Sequence, residues 1–154
     1  MLEIPFDDGS FDFVYSVEVL RYLTVADNLR RIREVARVLR PGGVFFGTFV
    51  NRYALDGFSL LVAGRRIADR LGSPINCHTE LETPRRLRGH LVKAGFSHAA
   101  THGAMFAPLR IVWKILGNRI TTQLARRLQP IDRLLCDGRM TQAWAGHLIG
   151  IGRK

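Results

Sequence analysis

Few residues in this sequence have types and spacings that suggest chemistry. Cys77-His78 invites a metal reading, but no further ligand pair lies at the spacing of a zinc site. His98 and His102 are four apart, which on a helix would put both imidazoles on one face. Their segment follows Gly95-Phe96 and reads as strand or loop, so no metal site is expected. Two other stretches are better placed. Ser16 to Tyr22 follows one apolar run, and Asn51-Arg52 follows another. In an open α/β sheet, ligands bind outside the carboxyl ends of the strands, so both are candidate walls of a site. Tyr22 would offer a hydroxyl and an aromatic face, although a phenol is a poor base near neutral pH. Most buried tyrosines only pack and find one hydrogen bond, and that is the favoured role for Tyr22.

The elements that must hold these residues are legible. Phe11 to Ser16 and Arg40 to Phe49 are short apolar runs rich in aromatic and β-branched residues, the pattern of buried strands. Between them Leu29, Ile32, Val35, Ala36 and Leu39 share a helical face, with Arg30, Arg31, Arg33, Glu34 and Arg37 on the others. Strand, helix and strand in that order predict a right-handed βαβ crossover and parallel pairing. Thr24 followed by Asp27 reads as a capping-box start for the helix. Pro41 cannot continue it, and Gly42-Gly43 can supply the turn into the next strand. Ahead of the first strand, Asp7-Asp8-Gly9-Ser10 is a turn signal, and Ile4 and Phe6 land on something apolar.

Composition sets the class. The chain has 154 residues, 47% hydrophobic and 23% charged, ordinary for a globular protein. No apolar run is long enough to span a membrane, and no signal peptide is evident. Two cysteines, Cys77 and Cys136, read better as free thiols in a reducing cytosol than as a disulfide, and a cytoplasmic location is expected. The net charge of +10 favours loose attraction to anionic surfaces. Basic residues are not interleaved with stacking aromatics, so no nucleic-acid partner is expected.

Three runs carry a resemblance: Ile4 to Ser16, Val19 to Leu23, and Arg33 to Gly43 with its Pro41-Gly42-Gly43 ending. In their order and spacing the chain resembles the class I S-adenosylmethionine-dependent methyltransferases, specifically the large type 11 group. Thr83 to Phe96 looks like the family's late helix ending in Ala-Gly-Phe, and Trp144 to Lys154 like its closing antiparallel strand. The resemblance implies an α/β fold: the C-terminal half of a Rossmann-like methyltransferase sheet, parallel strands plus a closing antiparallel one. It implies one domain over residues 1–154, with helical substrate-side insertions at 53–80 and 104–141. It also implies S-adenosylmethionine as cofactor and a small-molecule acceptor whose reacting atom is left open. Ser16, Val17 and Val19 would line the methionine and ribose side of the cofactor, and Ile4 would sit near the adenine. For Val19 a plain core role is an even alternative. Tyr22, Asn51 and Arg52 would face the acceptor.

The family's glycine-rich loop has no counterpart. No G-x-G-x-x-G occurs, and Gly42-Gly43 precedes a strand rather than opening a helix after one. The expectation is therefore the second half of such a domain, from a truncated gene model first, or else a split protein or a degenerate copy. The strand at Phe11–Ser16 would then have a bare edge, open to a partner chain or a second copy. A non-catalytic half that needs a partner to bind cofactor is the alternative function. A third reading rests on two basic amphipathic patterns. One is Leu109, Val112, Trp113 and Leu116 with Arg110, Lys114 and Arg119; the other is Leu124, Leu128, Ile131, Leu134 and Leu135 with Arg126, Arg127 and Arg133. These would cap the acceptor site, or else associate weakly with an anionic membrane.

Overall fold

Thr24 opens the first helix as its sequence requires, its hydroxyl accepting the Asp27 amide hydrogen at 3.2 Å and donating to the Asp27 carboxylate at 2.7 Å. The computed structural model describes residues 3–22, 24–54, 58–72, 79–105, 109–138 and 141–154. Its elements in order are β1 (Phe11–Ser16), α1 (Val25–Val38), β2 (Leu39–Val50), α2 (Phe58–Arg70), α3 (Pro84–Lys93), β3 (His98–Ala104), α4 (Leu109–Asp137) and β4 (His147–Arg153). Short 3-10 turns lie at Leu20–Tyr22 and Thr141–Trp144. Cys77-His78 falls outside the described residues.

The sheet order is β1-β2-β4-β3. β1 and β2 are parallel, as the βαβ pattern predicts, while β4 runs antiparallel to both β2 and β3. Strand residues alternate between faces, and the two faces of this sheet differ. On one, Phe45, Phe49 and Leu148 pack against Ile32, Val35 and Ala36 of α1 and Leu87 and Leu91 of α3, with Leu20 and Phe96 closing the cluster. Each of the larger of these side chains contributes about 1.5–3 kcal/mol by leaving water. A glycine is needed at position 47, where a Cβ would stand 2.6 Å from the Phe45 ring.

The other face is far less covered. The strand register sets Tyr15, Phe46, Ile151 and Ala100 in one row, and Phe13, Val44, Arg153 and His98 in the next. Phe13 and Tyr15 stack with ring centres 6.2 Å apart, and Tyr15 is 69% exposed. Among the described residues no strand pairs with the outer side of β1.

α3 begins at Thr83, whose hydroxyl accepts the Arg86 amide hydrogen, followed by Pro84 in the first turn. α2 and α4 fall in the stretches expected to be helical insertions. α4 is bent at Gly117, which has a φ of 74°, and carries Pro130. It packs on β3 and on the 141–144 turn, leaving Ile131 and Leu134 exposed. The apolar face expected from Leu109, Val112, Trp113 and Leu116 lies outside the described side chains. No helix among the described residues is long and apolar enough to cross a membrane.

Candidate functional site

The carboxyl ends of β1 and β2 lie side by side, with Ser16 in register with Gly47. Because β4 is antiparallel, its first residue, His147, pairs with Val50 at this same end. Beyond Ser16 the chain turns sharply through Glu18, a non-glycine residue in the left-handed region with a φ of 59°. Leu20 anchors the turn in the core. The intervening Val17 and Val19 point outward, Val19 being 59% exposed. The core role considered for Val19 is thus not what the structure shows. Tyr22 is likewise 57% exposed rather than packed. Four of the expected residues, Ser16, Val17, Val19 and Tyr22, therefore follow one another along this rim.

The turn is held by groups that the sequence did not mark. Glu18 donates its amide hydrogen to Thr48 Oγ1 at 2.8 Å, and the Thr48 hydroxyl donates back to Glu18 Oε1 at 3.3 Å. His147 Nε2 lies 3.3 Å from the same carboxylate oxygen. His147 is buried, and its Nδ1 meets no hydrogen-bond partner among the described residues. The only hint in the sequence was a carboxylate between two valines, and the antiparallel return of β4 was needed to bring His147 to it.

Asn51 and Arg52 do stand at the carboxyl end of β2, but they differ in exposure. Asn51 is fully buried. Its amide nitrogen donates to the carbonyls of Ala143 and Ala145 at 2.7 and 2.8 Å, and its oxygen accepts from the Tyr53 amide at 3.2 Å. It fastens the 141–146 segment to the sheet, and no donor of its amide points to an open space. Arg52 is exposed, with its backbone amide donating to the Glu82 carbonyl at 2.8 Å. Ile4 is elsewhere. Its amide donates to Glu34 Oε2 and its carbonyl accepts from Arg37, both in the last turn of α1, near the amino end of β1. Hydrogen bonding to Arg37, then to the Ile4 amide, holds the Glu34 carboxyl below its ordinary range. The structure does not bring Ile4 to the rim that carries Ser16 and Val19.

A second buried polar group lies just beneath. Glu82 bridges Asn51 through its backbone and is almost wholly buried. Burial pushes its carboxyl up to about 7, although Arg86, with Nε 3.3 Å away, acts the other way. His90 Nδ1 lies 3.4 Å from Glu82 Oε1, and its pKa is lowered by burial and by the nearby Arg86 and Lys93. The short distance thus joins a carboxyl and an imidazole whose charged forms are both disfavoured by burial. Neither was singled out in the sequence. His98 and His102 sit on β3, and no group of metal-ligating side chains occurs among the described residues.

Comparison with known proteins gives three findings. Residues 1–47 match the family model described as a methyltransferase domain. The chain is 32% identical over 106 residues to the ubiquinone biosynthesis O-methyltransferase of Methylobacterium sp. (strain 4-46), covering 67% of this chain and 41% of that protein. It is 48% identical over 60 residues to the 27-O-demethylrifamycin SV methyltransferase of Amycolatopsis mediterranei, covering 39% of this chain and 18% of that protein. The chain thus spans about two fifths or less of these relatives' lengths. Among solved structures, a SAM-dependent methyltransferase of Thermotoga maritima superposes with a TM-score of 0.60 at 18% identity, covering 99% of this chain and 60% of that one.

Proposed function

We propose that this chain, whose residues 1–47 match a methyltransferase-domain model, forms the acceptor side of an S-adenosylmethionine-dependent methyltransferase acting on a small molecule. One observation carries the reading: Val17, Val19 and Tyr22 stand exposed in the segment that follows Ser16 at the carboxyl end of β1. This is where an open α/β sheet receives its ligand. Exposed valines suit the apolar flank of a sulfonium-bearing cofactor, and the buried, unpartnered Nδ1 of His147 marks a polar site that packing alone does not explain. The residues present therefore fit the methyl-bearing end of the cofactor. S-adenosylmethionine would supply an electrophilic methyl group.

The protein's task in such a displacement is chiefly to align donor and acceptor. Ser16, Val17 and Val19 are assigned to the cofactor side, and Tyr22 and Arg52 to the acceptor. Asn51 acts through the fold, holding the 141–146 segment in place. Ile4 contributes to the cofactor site only if the adenine reaches the far end of β1. A cytoplasmic location accords with this chemistry.

A second reading has its own support: the exposed Phe13–Tyr15 pair on β1, whose outer edge pairs with no strand among the described residues. There the chain would need a partner chain, or a second copy, to complete the sheet before it binds cofactor. Calorimetric titration of the folded 154-residue chain with S-adenosylhomocysteine separates the two. Saturable micromolar binding is expected if this rim suffices. A folded chain that takes up none would overturn cofactor binding by this chain alone and favour the partnered form.

A further inference from the structure

We propose that the outer edge of β3 carries a second binding site, for a small molecule that bears a carboxylate beside an amide N–H. The site lies at the opposite side of the sheet from β1 and does not depend on the methyltransferase reading.

β3 is the terminal strand on that side, and β4 determines which of its backbone groups face outward. The Lys154 amide donates to the Gly43 carbonyl at 2.9 Å, and the Asn51 amide to the Gly146 carbonyl at 3.4 Å. Even-numbered positions of β4 therefore turn their backbone groups to β2, and odd-numbered positions turn theirs to β3. In the observed register those odd positions pair with His98, Ala100, His102 and Ala104. Ala99 and Thr101 are left with N–H and C=O groups directed away from the sheet. Among the described residues no strand pairs with this side of β3.

These two residues line a cavity of about 410 Å³, to which α3 contributes Arg88, α4 contributes Cys136 and the 141–144 turn contributes Gln142. The volume is that of a site for a small ligand. Its wall is already fixed. The Thr101 hydroxyl donates to Gln142 Oε1 at 3.2 Å, the Gln142 amide donates to the Gly138 carbonyl at 3.0 Å, and the Gln142 carbonyl accepts from Asn51 Nδ2 at 3.4 Å. A preformed wall loses little affinity to ordering.

Charge selects the ligand. No carboxylate lines the cavity. Arg37, Arg40 and Arg86 are each paired with an acidic side chain, whereas Arg88 has no partner among the described residues. A free guanidinium suits a carboxylate, which it can meet through two parallel N–H donors. Beside it the edge of β3 presents acceptors as well as donors, so a matching ligand offers an N–H along with its oxygens. An N-acylated amino acid carries both groups on one carbon and is small enough for the cavity.

The probe is N-acetylglycine, with N-acetylglycinamide as the uncharged control and propionate as the carboxylate without the N–H. Each is titrated into the full chain at constant ionic strength and followed by amide nitrogen–proton spectra. N-acetylglycine is expected to shift the Ala99 and Thr101 amides saturably. It should bind at least about 10-fold tighter than the glycinamide, the scale of one charge-assisted hydrogen bond, and about 3-fold tighter than propionate. Arg88→Gln should bring its binding down to that of the glycinamide. Arg85→Gln, on the same helix but outside the cavity lining, should leave it unchanged. Both arginines are exposed, so neither variant disturbs the core. Equal binding of N-acetylglycine and either control, shifts that do not saturate, or wild-type affinity in Arg88→Gln overturns the inference.

Discussion

Asn51 donates its side-chain amide to the Ala145 carbonyl at 2.8 Å across 94 positions of sequence. The same nitrogen reaches the Ala143 carbonyl at 2.7 Å, so one residue joins the tip of β2 to the entry of β4. Asn51→Leu would leave buried carbonyls without donors, a loss of about 1–3 kcal/mol for each unsatisfied group. Urea unfolding should show a midpoint shift of that size with an unchanged slope. A midpoint equal to wild type would mean that the clamp is energetically idle.

Glu82 and His90 predict a measurable dependence of stability on pH. The folded pKa of Glu82 is raised from 4.5 to about 7. Between those values the unfolded chain has released its proton and the folded chain has kept it, so this carboxyl lowers stability as pH rises from about 4.5 to 7. At 1.36 kcal/mol per pKa unit the full effect is about 3 kcal/mol. His90 acts in the opposite sense. Its depressed pKa makes the folded state bind fewer protons than the unfolded one, so its contribution to stability is lost as pH falls below 6.5. Glu82→Gln should leave only the histidine's rise. Thermal melts of both proteins from pH 4.5 to 7.5 test this; parallel curves would refute it.

The edge of β1 predicts self-association. Phe13 and Tyr15 are exposed on a strand whose outer backbone groups pair with nothing else in the described sheet. Charged residues on such an edge discourage pairing between molecules. Tyr15→Lys should therefore lower the apparent mass seen in sedimentation at high protein concentration. Because the side chain is already in water, the melting temperature should stay within about 2 °C, the response to well under 1 kcal/mol. Identical sedimentation of both proteins would show that the edge is inert.

At position 47 the core leaves no room. A Cβ would meet Phe45 at 2.6 Å and Phe49 at 3.0 Å, and both rings are buried. Gly47→Ala should destabilise the fold by about 1–3 kcal/mol through overpacking. Phe45→Leu in the same chain should recover part of the loss, and a purely additive double variant would place the strain elsewhere.

The βαβ unit could be read from sequence because its signals are local. Apolar spacing set the inner faces of α1 and β2, and Thr24 caps α1. Exposure at the rim could not be read in the same way. Val19 has the residue type of a core position, yet the chain turns at Glu18 and sends it outward. Asn51 has the type of a solvated loop residue, yet the return of β4 buries it. The contacts of Glu18 and Glu82 arise from pairings between distant segments, for which no short-range pattern exists. Ile4 was assigned to the adenine by resemblance alone, and it lies near the amino end of β1, bound to Glu34 and Arg37.

The Lys154 side chain reaches the carbonyls of Arg37 and Leu39, 117 and 115 positions away, while β4 fills the middle of the sheet between β2 and β3. This layout governs the order of assembly. The βαβ unit can form early from nearby contacts, but β2 must wait for residues 147–153 to emerge from the ribosome before gaining its second neighbour. Until then Phe45 and Phe49 have only part of their final surroundings. Loop closure over so long a separation is costly, so the pairing of β4 with β2 is slower than the local contacts of the βαβ unit.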